Sequence, residues 1–326
     1  MANDTLLLLS KAAQRLGAEI NRLAPNVDLL IMQEDAGYQL NGQAIADPPE
    51  PTLAWMGLDL YQSKCAAEFQ AAVNDAPKLR WVQTALAGIE APIFRQLIER
   101  GVRLTNSDAQ APSIADFVLG NVLATLQSFS HLRELQRARR WQPVPFKELG
   151  RTRWLVVGFG SIGQELAQRL QGFGATVVGV RRTATQSPYA NVVAPDALTA
   201  ELPKADVVVL ACALNDQTRG MVDAEFLAQM RAESILVNVG RGALIVDADL
   251  LSALDNDRPA HAILDVFDPE PLPEDNAYWS HPKVLVSSHT SAFGDGMAER
   301  GDALFLGNLQ RLLAGEPLHK EVTAID

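Results

Sequence analysis

Residues 154–182 read "WLVVGFGSIGQELAQRLQGFGATVVGVRR". A strand-type run, Trp154 to Val157, meets glycines at Gly158, Gly160 and Gly163. These open a helical pattern in which Ile162, Leu166, Leu170 and Phe173 share one face. The pattern stops at Gly174, and "ATVVGV" follows as a second strand. Strand, glycine turn, helix and strand within ~30 residues form a βαβ unit with a phosphate-binding turn. Gly158 allows the tight turn, Gly160 lets a pyrophosphate approach the backbone, and Gly163 lets the helix pack on the strand. The amides near Ser161 and Ile162 then face the phosphates with the helix dipole behind them. Taken without their context, the glycines also fit a turn with no ligand.

A unit of this kind usually carries an acid about 20 residues further on, to hold the ribose hydroxyls. Arg181 and Arg182 stand there instead. An acid would repel a 2′-phosphate, whereas arginine offers planar, permanently charged donors suited to phosphate oxygens. The expected cofactor is therefore NADP(H) in preference to NAD(H). A solvated basic turn is the plainer alternative.

The 326-residue chain exceeds the usual size of one core, so two domains are expected. The boundaries are expected to give a substrate domain of residues 1–105 with 293–326 and a dinucleotide-binding domain of residues 106–292. Strand candidates 6–9, 27–32, 52–58, 80–86 and 102–106 alternate with helical spacing and predict a small parallel α/β domain. A Pro-rich loop is expected around Pro48, Pro49 and Pro51. Further strand candidates cover 206–210, 234–239, 261–266 and 284–288. A last helix, over about 297–313, carries Phe305, Leu309 and Leu312 on one face and is placed to return to the first domain. The fold class is α/β throughout.

A formal charge of −11 argues against a nucleic-acid partner. No apolar run reaches the ~18 residues of a membrane span, and the start of the chain lacks the pattern of a signal peptide. Cys65 and Cys212 show no metal-type spacing, and both are expected to be reduced and buried. No metal is expected. A cytoplasmic protein is the expectation.

Three stretches past the glycine turn carry polar groups at the ends of strand candidates. "VNVGRGAL" holds Arg241, "LDVFDPEPLP" holds Asp265, Asp268 and Glu270, and "VSSHTSA" holds His289. Ligands of open α/β sheets collect at the carboxyl ends of strands. An arginine to grip a carboxylate, a histidine to move a proton and a carboxylate to orient that histidine suit reduction of a 2-keto acid. Singly, each has a plainer reading: a surface arginine, an exposed loop acid, a core or surface histidine.

These residues are similar to those of the D-isomer-specific 2-hydroxyacid dehydrogenase family, with a likeness to its glyoxylate/hydroxypyruvate reductases. The resemblance rests on GFGSIG, "QTRGMVDAEFLAQMRAESILVNVGRGALI" (217–245), "LDVFDPEPLPEDNAYWSHPKVLVSSHTSA" (264–292) and, more loosely, "APSIADFVLGNVLA" (111–124). It implies a flavodoxin-like substrate domain and a Rossmann-type, doubly wound cofactor domain. It implies catalytic roles for Arg241, Glu270 and His289, with a proton from His289 and a D-2-hydroxy acid as product. Asp265 falls where the family faces the nicotinamide carboxamide, and Val239 belongs with the cofactor contacts. Leu86, Ala87 and Gly88 fall on the loop that binds the substrate carboxylate and, with Arg241, form the expected substrate site. A homodimer through the 112–147 region is implied. Glyoxylate, hydroxypyruvate, pyruvate and larger keto acids all fit, and Trp141 and Trp279 are candidate pocket walls. Ala213-Leu214-Asn215 departs from the family's usual Pro-Leu-Thr, and Glu90 stands where Asp is usual. The same fold also serves nucleotide-sensing corepressors and enzymes acting on formate or phosphite. A corepressor-like binding protein is therefore the alternative reading.

Overall fold

The computed structural model describes residues 3–183 and 186–322. The chain divides into two compact units, Met1–Ala109 with Asp295–Asp326, and Gln110–Gly294. Residues 1–2 and 323–326 of the expected substrate domain lie outside the described residues.

The first unit contains β1 (Asp4–Leu9), α1 (Ser10–Leu23), β2 (Val27–Met32), β3 (Tyr38–Leu40), β4 (Gln43–Ile45), β5 (Leu53–Met56), α2 (Ala66–Asp75), β6 (Trp81–Thr84), α3 (Pro92–Glu99) and β7 (Arg103–Thr105). Its sheet order is β4-β3-β2-β1-β5-β6-β7, so the parallel part has the flavodoxin-like order. The chain reverses direction across the sheet between β1 and β5. β3 and β4 form an antiparallel hairpin on the edge, just before the segment read as a Pro-rich loop. Asn41 and Gly42 both take positive φ, the backbone of the short hairpin turn that Asn-Gly favours. Apolar residues at alternate positions fill both faces. Leu6, Leu8, Leu53, Trp55 and Trp81 form one layer, and Leu7, Leu9, Ala54, Met56 and Val82 form the other.

The last helix, α10 in chain order (Met297–Leu313), belongs to this unit. Phe305 stacks on Trp55 at 4.8 Å and on Trp81 at 5.8 Å. Leu309 and Leu312 follow it into the same layer.

The second unit contains α4 (Ala111–Leu126), α5 (Phe129–Arg137), β8 (Arg153–Val157), α6 (Ser161–Gln171), β9 (Thr176–Val180), β10 (Asn191–Val193), α7 (Leu198–Glu201), β11 (Val207–Leu210), α8 (Ala224–Gln229), β12 (Ile235–Asn238), α9 (Asp247–Asp255), β13 (His261–Leu264) and β14 (Val284–Val286). All seven strands are parallel, in the order β10-β9-β8-β11-β12-β13-β14. The order reverses between β8 and β11, which is the Rossmann-type, doubly wound arrangement. α4 and α6 cover one face through Ile114, Val118, Val122, Leu166 and Leu170. α8 and α9 cover the other through Phe226, Leu227, Leu250 and Leu254. One helix expectation needs correcting. Phe173 lies past the end of α6 and is half exposed, because the helix yields to the Gly172–Gly174 turn.

No helix among the described residues is long and apolar enough to cross a membrane. No group of His, Cys, Asp or Glu among them is arranged to hold a metal ion. Both cysteines are free thiols. Cys65 is buried, but Cys212 is only partly covered, because it lies in the open turn after β11.

Candidate active site

β8 delivers the glycine turn to the point where the strand order of the second unit reverses. Gly158 has φ +94°, and a Cβ there would lie 2.4 Å from the Cys212 backbone nitrogen in the turn after β11. Only glycine meets both conditions. The amides of Gly158 and Phe159 donate to the Val180 carbonyl at 3.1 and 2.9 Å, tying the turn to the end of β9. Arg181 and Arg182 follow Val180 directly and are exposed beside the turn. The Arg181 amide donates to the Val193 carbonyl at 3.0 Å, so β10 fixes the backbone of the basic pair.

A Cβ at Gly160 would meet nothing within 4 Å. The protein's own packing therefore places no demand for glycine there, whereas a pyrophosphate lying against the backbone would. α6 has no side-chain cap. The amides of Ile162 and Gly163 precede its first intrahelical bond, from the Gln164 amide to the Gly160 carbonyl at 3.0 Å. Gly163 packs tightly, its would-be Cβ lying 3.0 Å from the Phe159 ring and 3.2 Å from Val156. The turn and the uncapped helix thus fit the phosphates of a dinucleotide, with two arginines beside them. Burial pushes the Cys212 thiol up to about 11, so it adds no negative charge beside that turn at neutral pH.

The Ala213-Leu214-Asn215 turn is closed by side-chain hydrogen bonds. Asn215 Oδ1 accepts from the amides of Gln217 and Thr218 at 2.9 and 3.1 Å, and Thr218 Oγ1 donates to the Ala213 carbonyl at 2.8 Å. An asparagine side chain supplies a local acceptor of the kind that closes such turns.

Arg241 follows β12 and precedes a 3₁₀ turn at Gly242–Leu244. The wholly buried Asn238 clamps this loop. Its Nδ2 donates to the Arg241 carbonyl at 2.9 Å, and its Oδ1 accepts from the Gly240 amide at 3.1 Å. Arg241 itself is half-buried, with Nη1 donating to the Gly240 carbonyl at 2.8 Å. Val239 is buried in the core, so what it can offer a ligand is mainly backbone.

A Cβ on Gly242 would come within 1.9 Å of the Phe267 carbonyl carbon and 2.3 Å of its oxygen. The loop after β12 therefore lies flush on the loop after β13. That second loop carries Glu270, whose Oε1 accepts from the Phe267 amide at 3.0 Å and whose Oε2 meets His289 Nδ1 at 2.8 Å. Glu270 is thus held at both oxygens, and the other ring nitrogen of His289 remains for chemistry. The histidine side chain is 50% exposed and the glutamate 36%, so the pair stands at an accessible surface of the unit. Tyr278 backs this loop, 6.1 Å from the Phe267 ring, and its hydroxyl donates to Asp247 at 3.0 Å.

His289 has φ +50°, a conformation rare for residues other than glycine. Asp265 holds it there. The Asp265 carbonyl accepts from the His289 amide at 2.8 Å. Its carboxylate, 1% exposed as a residue, accepts from Ser287 Oγ at 2.7 Å and from the amides of Thr290 and Ser291 at 2.9 and 3.1 Å. A buried carboxylate with this many donors is strongly satisfied, and here it organises the turn that presents the histidine. Asn238, Gly242, Ser287 and Ser291 were not singled out from sequence. The Asn and second Gly of "NVGRG" and the serines flanking His289 were the available signals.

Leu86, Ala87 and Gly88 belong to the first unit and follow β6. The Leu86 amide donates to Thr84 Oγ1 at 3.2 Å, and the Ala87 carbonyl accepts from Asn106 at 2.7 Å. Trp141 is fully exposed and Trp279 half exposed, its Nε1 donating to the Pro273 carbonyl at 2.9 Å. His131 pairs with Glu134 on the surface, and the His319 backbone is bonded to Asn308.

A glycine turn at the switch point of a doubly wound sheet, with a histidine–carboxylate pair on the same strand ends, defines a dinucleotide-dependent oxidoreductase. Residues 119–291 match the D-isomer specific 2-hydroxyacid dehydrogenase, NAD binding domain, family. A D-lactate dehydrogenase of Treponema pallidum is 31% identical, over 76% of this chain and 80% of that protein. A glyoxylate/hydroxypyruvate reductase A of Arabidopsis thaliana is 28% identical, over 76% of this chain and 79% of that protein. A crystal structure of a D-isomer specific 2-hydroxyacid dehydrogenase from Xanthobacter autotrophicus, in complex with NADPH and MES, superposes with a TM-score of 0.77 at 27% identity, covering 99% of this chain and 98% of that one. The chain belongs to the D-isomer specific 2-hydroxyacid dehydrogenase family. It is an oxidoreductase with an NAD(P)-binding unit, in a family that works on 2-hydroxy and 2-keto acids.

Proposed function

We propose that the protein reduces a small 2-keto acid to a D-2-hydroxy acid with NADPH. The observation that carries this reading is the His289–Glu270 pair at 2.8 Å, set on the same strand ends as an arginine and a phosphate turn. The nicotinamide supplies the hydride when bound. His289 gives a proton to the carbonyl oxygen, and Glu270 orients the ring. Arg241 holds the substrate carboxylate and polarises the carbonyl. The amides of Ala87 and Gly88 in the first unit, for which no hydrogen-bond partner occurs among the described residues, are of the kind that suits a carboxylate. Asp265 helps seat the nicotinamide from a turn that it also organises.

The preference for NADPH rests on Arg181 and Arg182, which follow Val180 at the point where the glycine turn is bonded to β9. Charge-assisted bonds to a 2′-phosphate contribute about 1.5–3 kcal/mol each, or about ten- to a few hundredfold in cofactor preference. The test is kcat/KM for NADPH and NADH with one good keto acid, in the parent and in Arg181→Ala and Arg182→Ala. The parent is expected to favour NADPH at least tenfold, and at least one substitution to erase most of that ratio. Equal use of the two cofactors, or a ratio unmoved by both substitutions, would count against the reading.

Phe129, Leu132, Trp141 and Phe146 leave large apolar side chains exposed along residues 129–146. A second copy of the chain is the proposed cover, since most soluble oligomers are two-fold symmetric. Light scattering at micromolar concentration should give about 70 kDa, twice the 35.3 kDa chain. A constant 35.3 kDa would rule the dimer out.

A further inference from the structure

The sheet of the first unit also has a switch point, between β1 and β5. Ligands of open α/β sheets lie outside the carboxyl ends of strands at such points. The turn after β5 is the short 3₁₀ stretch Leu58–Gln62, which carries Tyr61. The Tyr61 hydroxyl lies 3.2 Å from Thr84 Oγ1 at the carboxyl end of β6. Thr84 Oγ1 in turn accepts from the Leu86 amide at 3.2 Å, so Tyr61 is two hydrogen bonds from the start of the 86–88 loop.

The protons on this chain of bonds can be assigned. Thr84 is wholly buried, and its oxygen already accepts from Leu86. Among the described residues its own proton has one acceptor, the Tyr61 oxygen. Leaving a buried hydroxyl proton without an acceptor is unfavourable, so Thr84 donates and Tyr61 accepts. The phenol proton is thereby directed away from Thr84. Burial also pushes the Tyr61 phenol above its ordinary range, which keeps that proton in place at neutral pH. Tyr61 as a residue is 40% exposed, so one side of it is open to solvent.

We infer that Tyr61 is a specificity residue, donating a hydrogen bond to an oxygen on the third carbon of the 2-keto acid while the amides of Ala87 and Gly88 take the carboxylate. A substrate of the hydroxypyruvate type satisfies this donor, and one ending in a methyl group leaves it without an acceptor. A site that presents a polar donor discriminates against the analogue that cannot use it. The inference rests on the keto-acid reading given above.

The experiment compares kcat/KM for hydroxypyruvate and pyruvate in the parent and in Tyr61→Phe. The parent should favour hydroxypyruvate, and the substitution should lower the hydroxypyruvate-to-pyruvate ratio about tenfold. A loss of folding or of general activity would lower both values and leave the ratio alone. Calorimetric binding of D-glycerate and D-lactate to the NADPH-loaded protein, a dead-end complex in which no hydride can move, provides a second reading that needs no turnover. D-glycerate should lose about tenfold in affinity on Tyr61→Phe, and D-lactate should change less than twofold. A ratio and a binding difference both unchanged within twofold would overturn the role of Tyr61. Absence of turnover in the parent would overturn the keto-acid reading instead, and the binding comparison would still decide on Tyr61.

Discussion

Replacing His289 with glutamine is expected to lower kcat/KM for keto-acid reduction by about 10²–10⁴-fold, the usual contribution of a positioned general acid. Glutamine keeps a polar side chain of similar reach but has no proton to give at neutral pH. The backbone cause of the histidine's position survives the change, because the φ of +50° is held by the Asp265 carbonyl and carboxylate through main-chain amides. The affinity for NADPH, read by fluorescence titration, should therefore stay within about threefold, since no charge-assisted bond is removed from the phosphate turn. The split separates the proposed role from a folding defect. A variant with more than a tenth of the parent kcat would exclude His289 as the proton donor.

Arg241→Ala is the second large effect. A bidentate grip on a carboxylate consists of two charge-assisted bonds of about 1.5–3 kcal/mol each, so its loss should cost about 10²-fold or more in kcat/KM. Because the arginine is also assigned to the carbonyl, kcat should fall as well as KM rise. Arg241→Lys should recover little, as an ammonium cannot reproduce the planar fork. The loop itself should persist in both variants, since the Asn238 side chain holds it by its backbone atoms. A loss below tenfold in Arg241→Ala would show that the substrate carboxylate is held elsewhere.

The features most legible in the sequence were those written in periodicity and short strings. GFGSIG after "WLVV" located the switch-point turn, and the apolar runs around 206–210 and 234–239 contained β11 and β12. Phe305, Leu309 and Leu312 marked the face of α10 that packs on the two tryptophans. The edge hairpin β3–β4 was missed, because strands of three mixed residues carry almost no alternation. Only Asn41-Gly42 announced it. The task of Asp265 as the clasp of the His289 turn was also out of reach, since most of its partners are backbone amides, brought to it by pairing of β13 with β14. Gly242 belongs with these: it is required by a contact with Phe267, a neighbour distant in sequence. Local chemistry was readable, whereas close approaches between loops depend on the packed sheet.

The most direct measurement is product formation by the purified protein. Glyoxylate, hydroxypyruvate, pyruvate and a larger keto acid are each offered with NADPH at micromolar enzyme, and the product of each chiral reaction is resolved by configuration. Many turnovers per enzyme molecule on at least one keto acid are expected, with the D-2-hydroxy acid as the product where a centre forms. Cofactor binding without turnover on any of them would contradict a reductase and indicate a nucleotide-sensing protein, and an L product would contradict the proposed face of hydride transfer.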